Sequence, residues 1–366
     1  MKYFGSEFGI APWKIDSPIE RFLSHRADNS ELWKKIYVMF YRIFDSDYYK
    51  GGLTMIDKIL ADNKFNSELW GGKRKIVRDM IYSLHRFGCE FNEYFIYEFY
   101  RLNTEARDSF ICSKNRWKYY LYFNKTRNNP IFDDKNQTYL KFADYIHRKY
   151  CCVMSVVDKQ KFELFESEVS SYLIKPMGGS GGRGVIIAKR GEYSIDELTK
   201  TYPDGLLAEE IIHNHDVLTK VNESSLNTIR VATVKSDNKV DIVFAFIRFG
   251  REGSVVDNGF RGGIMCNIDI ETGIITSTST EKGQKYIVHP DSKQTIIGLK
   301  VPNWERVKQM AKQLASVVPD CRLVGWDIAV TNDDVLMIEA NCKSEFIGPQ
   351  MSTARGIKST IESLMN

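Results

Sequence analysis

The spacing of apolar residues changes character along this chain, from helical over roughly the first third to strand-like over most of the rest. Over 30–44, Trp33, Ile36, Tyr37, Phe40 and Phe44 fall on one helical stripe, and Ser30 is placed to cap it. Similar spacing predicts helices over 55–60, 73–86 and 92–102, and again over 138–148. A further stripe of Trp304, Val307, Met310, Ala311 and Leu314 starts after Asn303. Strand patterning predicts a strand over 205–210 and a pair over 227–235 and 240–249 around Ser236-Asp-Asn238. The last apolar runs, 322–331 and 335–341, flank Asn332-Asp-Asp334 and predict an antiparallel hairpin.

That hairpin carries the first candidate chemistry. With a three-residue loop at 332–334, Thr331 faces Val335, and counting back places Asp327 opposite Glu339. Asn341, two residues beyond Glu339, shares its face. Facing carboxylates repel, so the pair calls for a cation between them. Two carboxylates and an amide oxygen form a hard-oxygen set suited to Mg²⁺ that also takes phosphate oxygens. A two-residue loop would shift the register and spoil the match. Taken alone, the pair reads more readily as the solvent face of an antiparallel sheet.

A second feature shifts that balance. Residues 171–189 contain Gly179-x-Gly181-x-x-Gly184 between two apolar runs. A dinucleotide-binding or Walker A loop leads from a strand into a helix, whereas here Val185-Ile-Ile-Ala188 follows, and the Walker Lys-Ser/Thr is missing. The stretch therefore predicts a glycine flap between antiparallel strands, whose N–H groups at Gly179, Ser180, Gly181 and Gly182 can close over phosphates. Lys175, just before the flap, is aimed at the same anion. A protein kinase shares strand–glycine loop–strand, but its His-Arg-Asp and Asp-Phe-Gly elements are absent from this sequence.

Between these landmarks, Glu209 and Glu210 end an apolar strand that could line an adenine pocket, with backbone groups of Glu210, Ile211 and Ile212 reading the base edge. Asp216 then lies where it can accept from ribose hydroxyls. His213 and His215 alternate, but without a third ligand nearby they read as loop histidines. Thr228, Arg230 and Arg248 fall on the polar face of the paired strands, where an arginine can stabilise charge developing during transfer. The glycine-rich loop over 251–263 is a place for substrate contacts.

Composition narrows the class. The chain has 366 residues, 43% hydrophobic and 27% charged, which is an ordinary soluble composition with room for two or three domains. A formal charge of +4 is too small to imply nucleic-acid binding. Seven cysteines, with no C-x-x-C pair, argue for a reducing compartment and against a zinc ribbon. Without a signal peptide or membrane-length apolar run, the expected location is the cytoplasm. Lys34, Lys35, Arg42, Lys73, Arg74, Lys75 and Arg78 tint the helical region basic; it reads as packed helices with a solvated face, the other reading being a membrane surface or an anionic partner. The stretch 124–134, with Asn128-Asn-Pro130, is the best candidate for a domain boundary.

In this order the motifs resemble those of the ATP-grasp superfamily, and most of all its sugar-transfer-associated branch, from about Asp134 to the C-terminus. Asp134-Lys135 is similar to the Asn/Asp-Asp-Lys whose lysine reaches the nucleotide phosphates. Lys175-Pro176 with 178–184 is similar to the Lys-Pro-x-x-Gly-Ser-x-Gly-x-Gly flap, and 207–216 to the adenine hinge with its ribose acid. Asn227-Thr-Ile-Arg230, Asp257-Asn258 and Gly262-Gly263 resemble motifs of this branch, and Gly325-Trp-Asp327 with Ile338-Glu-Ala-Asn341 resembles its metal site. Ala340 departs from the frequent glycine of Glu-Gly-Asn, Lys343-Ser344 matches no motif, and the first hundred-odd residues do not resemble the usual preceding α/β domain.

The resemblance implies an α+β ATP-grasp fold, two subdomains clamping ATP, behind a helical N-terminal domain. The expected division is 1–125 helical, 126–210 small subdomain with the flap, and 211–366 catalytic subdomain. It implies a carboxylate–amine ligase using ATP and Mg²⁺ through an acyl phosphate. Asp327, Glu339 and Asn341 would hold the metal, Lys135, Lys175 and the flap the triphosphate, and Arg230 and Arg248 the acyl-phosphate oxygens. The expected partners are a small-molecule carboxylate, such as a sugar acid, and an amine, such as an amino acid, in cell-surface polysaccharide assembly. The runner-up reactions are small-peptide ligation and ATP sensing without catalysis.

Overall fold

The computed structural model describes residues 3–4, 13–125, 129–178, 183–254, 257 and 262–365, with the backbone alone at 3, 4 and 48. The chain divides into two compact units. The first comprises Met1–Tyr122, Glu281–Gln284 and Phe346–Asn366, and the second Phe123–Thr280 and Lys285–Glu345.

Among its described residues the first unit is helical apart from a two-residue pairing of β1 (Tyr3–Phe4) with β2 (Lys14–Ile15). Its main helices are α1 (Pro18–Ala27), α2 (Glu31–Phe44), α3 (Ser46–Asp62), α4 (Lys73–Phe87) and α5 (Phe91–Ile96). Ser17 and Ser30 accept from the backbone N–H groups of Glu20 and Trp33, capping α1 and α2. The buried side of α2 is Tyr37, Val38, Phe40 and Tyr41, while Phe44 is 51% exposed, so the face is rotated from the expected stripe. The reason is the aromatic core shared by α2 and α4, which draws in tyrosines whose hydroxyls find buried acceptors: Tyr37 on Glu20 at 2.6 Å and Tyr82 on Asp28 at 2.7 Å. The helix expected over 92–102 stops at Ile96, because Glu98 turns left-handed and a 3₁₀ turn follows. The helix expected over 55–60 is instead all of α3. Gln350 fastens the C-terminal segment within this unit through both its amide groups to the backbone of Ile111, at 2.8 Å each.

The second unit holds two antiparallel sheets. The smaller has order β3-β6-β4-β5, from β3 (Tyr150–Val153), β4 (Ser171–Pro176), β5 (Ile186–Lys189) and β6 (Leu206–Glu210). Cys151, Val153, Tyr172, Ile174, Leu206 and Ala208 share one core with Phe162 and Phe165 of the helix Lys159–Glu168 and Ile195 and Leu198 of the helix Ile195–Thr201. Cys152 and Leu207 pack instead with Tyr139 and Met177. The helix expected over 138–148 runs over Lys135–Lys141, capped by the Asp134 carboxylate, and a 3₁₀ turn at Ala143–Tyr145 replaces its second half.

The larger sheet has order β10-β9-β8-β7-β11-β12, from β7 (Ile229–Lys235), β8 (Val240–Phe249), β9 (Ile264–Ile268), β10 (Ile275–Ser279), β11 (Leu323–Val330) and β12 (Val335–Asn341). The expected stripe of Trp304, Val307, Met310, Ala311 and Leu314 is the buried side of the helix Trp304–Val317, in one core with Val231, Ala245, Trp326 and Ile328. That leaves the other face of β7, β8 and β11 for the polar residues described next. Among the described residues no helix is long and apolar enough to cross a membrane.

Candidate active site

The β11–β12 hairpin turns through four residues, Thr331 to Asp334, rather than the three expected. Val330 faces Val335 and Ile328 faces Met337. The wider loop forms because Thr331 and Asp334 bond across it, N–H to carbonyl at 2.9 Å, with a second bond from the Asp334 N–H to Thr331 Oγ1 at 2.9 Å. Continued regularly, that register would set Asp327 against Ile338. Instead the ladder slips at Ile338, a β-bulge, and Asp327 comes to face Glu339, with Gly325 facing Asn341. Two departures from the simplest hairpin cancel, and the carboxylates meet as the sequence suggested. The open end of the hairpin is pinned by buried Asn124, which donates to the carbonyls of Leu323 at 2.9 Å and Cys342 at 2.7 Å.

On its other side Asp327 faces Arg230 of β7, which in turn faces Phe246 of β8, two residues from Arg248. The Arg230 guanidinium forks onto Asp327, Nε to Oδ1 at 2.6 Å and Nη2 to Oδ2 at 2.9 Å, and Arg248 Nη2 adds an ion pair at 3.1 Å. The cation demanded by facing carboxylates is thus supplied by two arginines. Arg248 also donates to Thr228 Oγ1 at 3.2 Å, and Thr228 donates through its N–H and hydroxyl to Asp257, at 2.7 and 2.6 Å. Ser344, which no motif explained, packs against Gly325 and receives Arg230 Nη1 at 3.4 Å. A Cβ on Gly325 would lie 2.2 Å from Ser344 Oγ and 2.9 Å from Arg230 Cδ, so glycine is the side chain that lets this arginine reach Asp327. Glu339 is exposed, with no hydrogen-bond or ion-pair partner among the described residues. Asn341 Oδ1 accepts from the Lys343 N–H at 2.9 Å. Asp327 Oδ2 is taken by both arginines, but Oδ1 keeps a lone pair beside its single arginine bond, so the three donors fit a divalent cation of Mg²⁺ type.

The small sheet builds a second cluster. Leu207 pairs with Lys175 and Leu173 with Glu209, so Lys175 and Glu209 lie diagonally on one face. Lys175 Nζ contacts Glu209 Oε1, while Arg148 Nη2 and the Tyr139 hydroxyl reach Oε2, the arginine at 2.9 Å. Lys135 Nζ donates to the carbonyls of Pro176 and Met177 at 3.0 Å each, beside the end of β4, and burial lowers its pKa against the opposing charge of Glu339. Both phosphate-lysine candidates therefore meet where β4 runs out toward the flap. Arg148 and Tyr139 were not singled out from the sequence, and nothing in the spacing around them marks a site.

Burial pushes the Glu209 carboxyl up, but the charges of Lys175 and Arg148 outweigh it and hold it at about 2. Asp327 is held at about 2 in the same way, burial being overcome by Arg230 and Arg248. Both lie below the ordinary values of 4.5 and 3.8, so their stabilisation is complete above the unfolded-state values and is lost as pH falls through the folded ones. Unfolding free energies from urea titration are expected to hold steady from neutral pH to about 5 and then fall as pH drops from about 4.5 to 2, by about 2–3 kcal/mol for each carboxylate, lowering the midpoint. A midpoint flat across that window would contradict these ion pairs.

The remaining candidates are placed as follows. The Glu210 N–H is taken by the Lys149 carbonyl at 2.9 Å, while Ile211 and Ile212 are half-buried beyond the strand. Asp216 is exposed and exchanges two hydrogen bonds with Asn332 of the hairpin turn, at 2.9 and 3.0 Å. His215 caps the short helix Asp216–Thr219, accepting from the Val217 N–H through Nδ1. Gly179, Ser180, Gly181 and Gly182 lie outside the described residues, as does Asn258. Among the described residues one cluster of His, Cys, Asp and Glu has metal-ligand spacing, Cys89, Glu93 and Cys112 in the first unit. Glu93 there is already bonded by the N–H groups of Glu90 and Ser113 and the Ser113 hydroxyl, which makes it a buried structural acceptor.

No curated protein matches the chain. Among solved structures it is similar to the ATP-grasp ligase PsnB complexed with a minimal precursor, Mg and ADP, at 14% identity over 66% of this chain and 61% of that one, with a TM-score of 0.41. It is similar also to an L-amino acid ligase from Bacillus licheniformis, at 11% identity over 64% and 48% of the two chains, TM-score 0.40. For D-alanine–D-alanine ligase from Helicobacter pylori the identity is 16% over 64% and 60%, TM-score 0.40. The chain thus spans less than two thirds of the length of each. A sequence model of the family described as sugar-transfer-associated ATP-grasp matches residues 114–366, well over half of the chain. The chain belongs to the sugar-transfer-associated ATP-grasp family, its α+β fold preceded by a helical N-terminal region.

Proposed function

We propose that this chain is an ATP-dependent carboxylate–amine ligase that joins an amino acid or another amine to a sugar acid during cell-surface polysaccharide assembly. Family membership supports ATP, Mg²⁺ and the ligase class, and the family's association with sugar transfer supports the sugar acid. The observation that carries the site is the meeting of Asp327, Glu339, Arg230 and Arg248 on one sheet, with Lys135 near enough to feel the charge of Glu339. The subdomains 126–210 and 211–366 are then the two jaws of the clamp.

The overall reaction splits ATP to ADP and phosphate through an acyl phosphate, which the amine converts to an amide with loss of a proton; Mg²⁺, when bound, neutralises the phosphate oxygens during transfer. Asp327, Glu339 and Asn341 would hold that ion, of which Glu339 is the ligand open to receive it. Lys135 and Lys175 bind the phosphates, and Gly179 to Gly182 close over them and keep water from the activated acid. Glu210, Ile211 and Ile212 bound the base and Asp216 takes the ribose, while Glu209, 2% exposed and paired with Lys175, acts on the nucleotide only through that lysine. Arg230 keeps Asp327 ionised at any physiological pH. Arg248, shared between Asp327, Thr228 and Asp257, orients the acid being activated. No protein nucleophile takes part. A cytoplasmic reaction belongs to this reading, since ATP is available there and buried thiols such as these stay reduced.

The occupation of both Asp327 oxygens by arginines gives specific support to a second reading, an ATP-binding regulator that does not turn over. Release of ADP and phosphate from Mg-ATP, tested against uronic acids and amino acids in pairs, separates the two. Phosphate release that requires one acid and one amine together is the expected result. Nucleotide binding without release on any pair, with cell-envelope extract added as well, would leave only the regulator.

A further inference from the structure

We propose that Arg148 is a positioning residue that frees Lys175 for the nucleotide phosphates by holding the charge of Glu209; this rests on the ATP-binding reading above. Glu209 is 2% exposed, and a buried carboxylate stripped of its cations is strongly unfavourable. Two cations serve it from opposite oxygens, Lys175 on Oε1 and Arg148 on Oε2. If Lys175 were the sole partner, moving its ammonium to a phosphate would leave Glu209 uncompensated, and the lysine would stay pinned.

The two cations are not equivalent. The Arg148 side chain is 2% exposed and each of its three guanidinium nitrogens is hydrogen-bonded. Nε donates to Glu209 at 3.0 Å, Nη1 to the Met337 carbonyl at 2.6 Å, and Nη2 to the Ile338 carbonyl at 3.4 Å and to the Tyr139 hydroxyl. Those carbonyls belong to the bulge of β12, an edge strand, so Arg148 is fixed by the backbone that presents Glu339. Lys175 carries a single ammonium on a flexible stem, is 22% exposed, and stands three residues before the flap. The arginine is the partner that stays and the lysine the one that can leave. Arg148 is too deeply buried to touch the nucleotide, and acts on it only through Glu209 and Lys175.

The test is equilibrium titration of the full chain with Mg-ADP, with thermal melts to confirm folding. Arg148→Gln is expected to weaken ADP binding roughly tenfold, the size of a typical coupling between sites. Arg148→Lys keeps a charge on Glu209 while losing the fork, and is expected to bind close to wild type. The double variant Arg148→Gln/Glu209→Gln removes carboxylate and cation together, and is expected to recover most of the lost affinity. If Arg148 only braced β12, Arg148→Lys would fall with Arg148→Gln and the double variant would not recover, which overturns the proposal. Should Arg148→Gln fail to fold, Arg148→Lys and the double variant decide by the same comparison. Wild type that binds ADP as tightly as a folded Arg148→Gln overturns this inference alone; wild type that binds no ADP overturns the ATP reading and this inference together.

Discussion

Replacing Glu339 by alanine is expected to abolish ligation while leaving the protein as stable as wild type. The side chain is exposed and makes no hydrogen bond or ion pair among the described residues, so its removal uncovers no buried charge and opens no cavity. Substitutions of that kind usually stay within about 0.5 kcal/mol. It stands opposite Asp327, and in the proposed site it is the donor left open for the cation. Losing an electrostatic group at the reacting phosphates is expected to lower kcat on the order of a hundredfold or more. Turnover by the variant, followed as ADP release on the acid–amine pair found by the screen, decides it. Activity near wild type would remove the metal assignment, and a collapsed melting temperature would show that Glu339 has a structural partner instead.

Asp327, its neighbour across the ladder, is expected to behave differently. Asp327→Ala should lose activity and also destabilise the fold by about 3–5 kcal/mol, the usual cost of stripping one partner from a buried ion pair. Arg230 is 5% exposed, and among the described residues its guanidinium hydrogen bonds, apart from the 3.4 Å bond to Ser344, are with Asp327. Arg248 would retain Asp257 at 3.6 Å and Thr228, so the greater share of the loss falls on Arg230. Denaturant unfolding of the two variants side by side checks this. Equal stability would mean that water reaches Arg230 once the carboxylate is gone. The contrast separates two roles that sequence assigned to one group: Glu339 is the proposed ligand-facing carboxylate, and Asp327 is first an anchor for two arginines.

Local patterning was legible where a chemical requirement is written into consecutive residues. Apolar runs announced β4 to β8, β11 and β12, though not β3, β9 or β10; Ser30 announced the start of α2, and the helix Trp304–Val317 buried the stripe its spacing called for, because each depends on neighbours within a few residues. The encounter of Asp327 with Glu339 was legible for a weaker reason. It assumed a three-residue loop, and the four-residue loop that formed is offset by a bulge at Ile338, which no local pattern signals.

What only the tertiary structure decided is which charges meet. The Arg230–Asp327 fork joins positions almost a hundred residues apart, and the Arg148–Glu209–Lys175 cluster joins a loop to two strands. Such pairings are set by the order of strands in the sheets and by the desolvation that makes an unpaired charge untenable in the interior. Sequence therefore determined most of the elements and singled out Lys175 and the carboxylates of the late hairpin. The fold decided that Asp327 would be claimed by arginines, that Glu339 would be left open, and that Arg148 would stand behind Glu209, because burial and long-range register assign partners that no window of neighbouring residues contains.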